Sequence, residues 1–189
     1  MEKDNISIIQ YESRFENEII RLANAAFGEN YLTAEKLASF LRRIHSFYIA
    51  VEGDSLLGYC LFLIEPTDDA AQGLKLDAAR LQVMGGQKPV CHTKSMSVIP
   101  ERRKTGLAKT LFNRCLQEAV GKGAGSAWGM AWKVGEKVPM DSIFRDAGFS
   151  VHSELPMAWF DDKDYRCVVC DGPCRCTGVV YYKIFEERE

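Results

Sequence analysis

The chain has 189 residues, 47% of them hydrophobic, with a formal net charge of −2 and seven cysteines. That length buries a core without disulfide support, and the balanced charge gives no global reason to bind nucleic acid or an anionic membrane. The opening MEKDNISIIQ has no basic-then-apolar leader pattern and the cysteine count is odd, so the expected compartment is a reducing cytoplasm.

Ile6–Tyr11 reads as a strand, and Phe15–Phe27 follows with Phe15, Ile19, Leu22, Ala23 and Ala26 at helical spacing. Thr33 is placed to cap a second helix over Ala34–Arg43. Strands at Phe47–Glu52 and Leu57–Ile64 flank the hairpin residues Gly53-Asp54-Ser55. Apolar runs such as that in LLGYCLFLIE are strand-sized, well short of the ~20 residues of a membrane-spanning helix. Glu65–Pro89 reads as an insertion, with one helix from about Thr67 to Met84 ending at Gly85-Gly86. Val90–Ile99 is a strand stopped by Pro100, and Thr105–Val120 carries the strongest amphipathic stripe. Ala127–Trp132, a short helix at Met140–Asp146, an extended segment from Phe149 and a last strand at Gly178–Phe185 complete one mixed α/β domain spanning residues 1–189. The sequence leaves monomer and homodimer both open.

Function is concentrated in SVIPERRKTGLAKTL, Ser97–Leu111, where a strand ends at a proline, a basic loop turns and a helix opens at a glycine. A helix start leaves several N–H groups unpaired and adds dipole potential, which together suit a phosphate. Gly106 and Ala108 allow close approach to the backbone, and Arg103 and Lys104 add charge. The pattern Val98-x-Pro100-x-x-Arg103-x-x-Gly106-x-Ala108 resembles the acetyl-CoA loop of the GNAT superfamily of N-acyltransferases. Gly58-Tyr59 and Phe144-x-x-x-Gly148-Phe149 are similar to further elements of that family. The resemblance implies a mostly antiparallel sheet whose strands Val90–Val98 and Ala127–Trp132 splay apart. Pantetheine would then lie near Met96 and Val98, and the diphosphate of acetyl-CoA on Arg103, Lys104, Thr105, Gly106 and Ala108. An amine of a small molecule or peptide would attack the thioester directly, which needs a deprotonated amine, a stabilised oxyanion and a protonated or tolerated thiolate.

Two positions depart from the family pattern. Phe144 stands where a tyrosine commonly protonates the thiolate, and Lys137 replaces a common asparagine. Either the leaving group departs unassisted, or a neighbour such as Ser142 or a water serves instead. His92 reads first as an ordinary strand histidine and second as a candidate base, a role that water relayed to a main-chain carbonyl would fill equally well. Trp128 and Trp132 read as core or as an acceptor wall. Glu65, Asp68, Asp69 and Asp77 read as a solvated face or as an attractant for a cationic amine.

CVVCDGPCRC gathers Cys167, Cys170, Cys174 and Cys176, with Gly172 and Pro173 suited to a reversal. Four thiolates suit a structural zinc, although the pairs are unusually close; an inert reduced cluster and a redox dithiol remain alternatives. A zinc clip would tie Asp161–Thr177 to the final strand. Cys60, Cys91 and Cys115 read as core residues. The leading expectation is a cytoplasmic acetyltransferase acting on a primary amine. The runner-up is a non-catalytic acyl-CoA sensor on the same scaffold, to which Phe144 and the absent asparagine point. A third reading is a zinc module for protein or nucleic-acid contact, with Asp161, Asp162, Asp164 and Asp171 arguing against nucleic acid.

Overall fold

The computed structural model describes residues 6–170 and 173–186. It begins with β1 (Ile6–Gln10), α1 (Glu16–Phe27), the two-residue β2 (Gly28–Glu29) and α2 (Ala34–Leu41). The hairpin β3 (His45–Glu52) and β4 (Ser55–Glu65) leads to α3 (Thr67–Leu74) and α4 (Ala78–Gly85). β5 (Val90–Val98), α5 (Leu107–Gly121) and β6 (Ser126–Lys133) form a crossover unit. α6 (Asp141–Asp146), β7 (Ser150–Leu155), β8 (Arg166–Cys167) and β9 (Thr177–Ile184) follow.

Seven strands form one sheet in the order β1-β3-β4-β5-β6-β9-β7. Every neighbouring pair is antiparallel except β5 and β6, the pair that α5 connects. Parallel neighbours require such a crossover, which is why the 15-residue α5 sits between them.

The sheet is covered on both sides where β3 and β4 run. Phe47, Ile49, Tyr59, Leu61 and Leu63 pack with Ile19, Ala23 and Leu37 of the first two helices. The alternate residues Tyr48, Ala50, Cys60, Phe62 and Ile64 pack with Leu111, Phe112, Cys115 and Ala119 of α5. Strand side chains alternate between faces, so a strand buried on both reads as an unbroken apolar run. That explains LLGYCLFLIE. Cys60, Cys91 and Cys115 are fully buried, as expected of small core residues.

The expected helix from Thr67 to Met84 is two helices. Lys75 adopts a left-handed backbone, φ 55°, and ends α3, while the Asp77 side chain accepts from the Ala79 amide at 2.9 Å and starts α4. A local aspartate cap competes with continuation of the helix. Pro66, not Thr67, occupies the position before α3. The helix expected from Thr105 opens at Leu107, because Thr105 and Gly106 belong to the preceding turn. The pairing of β2 with β8 has no counterpart in the sequence reading; two-residue strands leave no periodic signal.

Candidate active site

β5 and β6 pair only from Val90 to Thr93 and from Ser126 to Gly129. Beyond that point they part. On its other edge β5 is held by β4, where Leu61 faces Ser95 and Phe62 faces Thr93, leaving Lys94 as the extra residue of a β-bulge. Gly129 closes the paired stretch: a methyl there would strike both the Thr93 hydroxyl and the Phe144 ring. A cavity of about 460 Å³ occupies the opening, with Thr93 to Met96 on one wall and Met130 to Trp132 on the other. That volume lies in the usual range of small-molecule sites.

At the C-terminal end of β5, Pro100–Arg102 forms a single 3-10 turn. Arg102 pairs with Glu52 at 2.9 Å, a contact that anchors the turn to β3. Arg103 Nε donates to the Val98 carbonyl at 3.1 Å, and Thr105 Oγ1 donates to the Arg102 carbonyl at 2.8 Å. Lys104 (φ 61°) and Gly106 (φ 89°) both adopt left-handed backbone ahead of α5. A methyl on Gly106 would meet nothing within 4 Å, so the helix start faces open space. Lys104, Thr105 and Gly106 are exposed, whereas Ala108 packs half-buried on the core and Val98 is buried in it. Only the main chain of Val98 could meet a ligand. Met96 is half-buried and lines the cavity.

His92 lines the other half of the cavity, its Nδ1 2.9 Å from Glu65 Oε1. Glu65 Oε2 lies 2.8 Å from Arg43, whose guanidinium also meets Asp69 at 3.3 Å. Burial pushes the His92 pKa down, and the facing Glu65 only partly offsets this. Burial would raise the Glu65 pKa, but His92, Arg43 and Lys94 together hold it below the usual carboxylate value. The consistent state is a neutral imidazole donating from Nδ1 to an ionised carboxylate, with Nε2 left as an acceptor. Glu65 is therefore spoken for, and Asp68, Asp69 and Asp77 do not line the cavity. Of the two readings of these acids, the solvated face is the one that fits Asp68, Asp69 and Asp77.

Tyr31, Trp132, Trp159 and Tyr165 form the aromatic wall, with Trp128 instead buried between Val180 and α3. Tyr31 and Tyr59 hydroxyls converge on Ser95 Oγ at 3.2 and 2.7 Å. Phe144 is buried, stacked on Tyr181 at 4.5 Å between centroids, and its edge reaches the cavity. Ser142 is exposed and outside the cavity lining, because two helical residues place it on the far side of α6 from Phe144. It does not substitute for the missing tyrosine. The hydroxyl beside the Phe144 ring edge belongs to Thr93.

The four clustered cysteines come together. Their sulfurs all lie within 4.8 Å of one another, with 3.8 Å between Cys167 and Cys176 and 3.5 Å between Cys170 and Cys176. No disulfide joins them. Four thiolates around one zinc at ~2.3 Å stand about 3.8 Å apart, so the observed spacing fits a tetrahedral ion. The amides of Val169 and Arg175 point at the sulfurs of Cys167 and Cys170, at 3.5 and 3.3 Å. Burial alone would raise the Cys167 pKa, yet the amides of Val169 and Cys170 and the neighbouring Tyr165 and Cys176 bring it down to about 7. Gly172 and Asp171 lie outside the described residues. Pairing of β8 with β2 and a 2.8 Å bond from the Tyr165 hydroxyl to the Phe27 carbonyl tie this loop to the end of α1 as well as to β9. Tyr31, Trp132 and Trp159 pack against the cluster, so the cysteines back the aromatic wall.

Residues 16–149 match the family model described as the acetyltransferase (GNAT) family. The chain belongs to this family. It is an acetyltransferase, and the family uses acetyl-CoA. NAA60 from Arabidopsis thaliana, solved with a bisubstrate analogue, shares 13% identity over 95% of this chain and 98% of its own, with a TM-score of 0.72. The same plant protein solved with acetyl-CoA gives 0.70 at 12% identity, covering 95% and 98%. The ribosomal-protein-S18-alanine N-acetyltransferase from Escherichia coli gives 0.67 at 9% identity, covering 97% of this chain and 96% of that one. Ard1 from Thermoplasma volcanium gives 0.66 at 13%, covering 96% and 99%. At these identities the likeness establishes the fold. No curated protein matches the chain.

The buried His92–Glu65 pair gives this acetyltransferase a defined pH response. With the folded His92 pKa depressed, the unfolded chain takes up a proton below about pH 6.5 that the folded state refuses, so stability falls on acidification. Glu65, also depressed, contributes stability above its unfolded pKa that is lost as pH falls further through the folded value. Thermal midpoints measured from pH 8 to 4 are expected to decline from about pH 6.5 downward. The His92→Gln variant should lose the upper part of that decline. A midpoint that rises between pH 7 and 5.5, or an unchanged profile in the variant, would contradict the assigned protonation states.

Proposed function

We propose that the chain transfers acetyl from acetyl-CoA to a primary amine by direct attack. The observation that carries this reading is the parting of β5 and β6 immediately before a basic, left-handed turn that opens a 15-residue helix. The diphosphate lies over the amides and cations from Arg103 to Leu107, where Gly106 faces open space. Pantetheine runs along the β5 main chain from Lys94 to Val98, whose β6-facing edge has no strand partner. The thioester then reaches the cavity centre beside Met96, with an oxyanion donor supplied by the free β5 main chain.

His92 is the proposed base. Its Nδ1 is committed to Glu65, which leaves Nε2 to accept the ammonium proton directly or through water. Phe144 cannot donate to the departing thiolate. The neighbouring Thr93 hydroxyl is placed to hydrogen-bond it, and coenzyme A leaves either with that assistance or as a thiolate protonated by water. The competing reading is an acyl-CoA sensor without turnover, which Phe144 favours; release of free coenzyme A only when an amine is supplied decides against it.

Acetyl-CoA is expected to raise the thermal midpoint. Gly106→Glu should weaken its binding about 10-fold or more, since a carboxylate enters the diphosphate site and a side chain meets left-handed backbone. Gly106→Ala, which adds strain without charge, should weaken binding less. Unchanged affinity in the glutamate variant, by calorimetry, would remove the cradle.

The four cysteines are proposed to hold one structural zinc, since four protein thiolates leave no open coordination position. Protein purified without chelator should contain about one zinc per chain. Cys170→Ser should lose most of it together with thermal stability. Equal zinc content in the variant would exclude these ligands.

A further inference from the structure

The Lys94 side chain has no role in the coenzyme half of the cavity, where only its main chain borders the proposed pantetheine path, and it has no ionic partner in the acceptor half. As the extra residue of the β5 bulge it is released from the alternation that keeps strand side chains in register. Its side chain lines the cavity, and the contact its ammonium makes is with the face of Phe40, 5.2 Å from the ring centroid. Other charges nearby are matched. Glu65 is shared between His92 and Arg43 at 2.9 and 2.8 Å. Arg43 also reaches Asp69, at 3.3 Å. Lys36, which lines the same cavity, donates to the Asn30 carbonyl at 2.8 Å and meets Asp162 at 3.3 Å. Among the described residues, Lys94 is left as the cavity's surplus cation.

A cation held in a half-buried site without a counter-ion is unfavourable, and a ligand that brings an anion relieves that cost. Burial lowers the Lys94 pKa, with Arg43 and Lys36 acting in the same direction against Glu65. The same cavity has an aromatic lining formed by Tyr31, Trp132, Trp159 and Tyr165. Spacing narrows the ligand further. His92 and Lys94 are two residues apart on one strand, a rise of about 6–7 Å. An amine delivered to the first and an anion held by the second therefore belong to one small molecule.

We infer that Lys94 receives the carboxylate of the acceptor, and that the acceptor is a free α-amino acid with an apolar side chain. This rests on the acetyltransferase reading of the cavity. The apolar side chain lies against the aromatic wall, the α-amine faces His92 and the thioester, and the carboxylate meets the ammonium. Transfer forms the amide C–N bond and breaks the thioester C–S bond. The amine proton passes to His92 or water, and coenzyme A leaves with its electron pair.

The test measures coenzyme A release from acetyl-CoA with phenylalanine, leucine, methionine and tryptophan. Each is compared with its carboxamide, its decarboxylated amine and its glycine-extended dipeptide. The wild-type kcat/KM is expected to be at least about 10-fold higher for one or more of the free acids than for the matched amide, amine or dipeptide. Lys94→Met should lower that value by roughly 10- to 100-fold, mainly through KM, while leaving the amide rate and coenzyme A binding unchanged. Lys94→Arg should restore part of it. In the coenzyme A complex, the preferred acid should raise the thermal midpoint of wild type and not of Lys94→Met. Equal use of acid and amide, preference for the dipeptide, failure of every acid to react or to protect, or a uniform loss across all acceptors in Lys94→Met would each overturn the inference. Should coenzyme A itself fail to protect the wild-type protein, the transferase reading falls first; discrimination failing while coenzyme A still binds defeats the amino acid alone.

Discussion

The site depends on one break in the hydrogen-bond ladder. β5 is paired on both edges as far as Thr93 and on one edge thereafter, because a bulge at Lys94 and a side-chain-free Gly129 mark the point where β6 turns away. A free strand edge normally invites association with another chain. Here the edge faces inward, onto the cavity floor. Its amides and carbonyls beyond Thr93 have no partner on β6, and the same divergence opens the cavity in which the proposed thioester and acceptor would meet. Phe112, Phe144, Phe149 and Tyr181 wedge the opening from the α5 and α6 side, with Phe112 and Phe144 centroids 5.3 Å apart. Rigid aromatic packing of this kind keeps two strands apart without a hydrogen bond between them.

Two further constructions meet at that opening. The turn from Val98 to Leu107 is held by contacts internal to the protein, Arg102 with Glu52 and Arg103 with the Val98 carbonyl, so its outward amides are positioned before any ligand arrives. The cysteine loop is placed on the other side. Through Cys167 it pairs with Gly28, where even a methyl would strike the Arg166 carbonyl, and through Tyr165 and Trp159 it lines the cavity. A metal at the four sulfurs would stiffen the acceptor wall without touching the chemistry. The thiols thus back the cavity wall without lining the cavity themselves.

Much of this was legible in the sequence for identifiable reasons. The amphipathic stripe of α5, the proline that stops β5 and the small residue at position 106 each reflect a local backbone requirement, and local requirements leave local signals. The acceptor half was less legible because its residues come from separate segments: Tyr31 and Lys36 near α2, His92 and Lys94 on β5, Trp159 and Tyr165 in the cysteine loop. Lys94 did carry a trace. Consecutive polar residues His92 to Ser95 sit inside a strand that starts and ends apolar, which marks a bulge or an inward-facing site. Ser142 was misplaced for the opposite reason: proximity in sequence to Phe144 does not survive a 200° turn about a helix axis. The split of α3 from α4 turned on Asp77, whose capping preference could have been weighed against the continuous pattern.

The proposed transfer depends on where the coenzyme lies. A crystal structure of the protein with coenzyme A tests this directly. The arm is expected between Lys94–Val98 and Met130–Lys133, with the diphosphate over the amides from Lys104 to Leu107. Coenzyme A bound outside the wedge, with β5 and β6 paired along their full lengths, would contradict it.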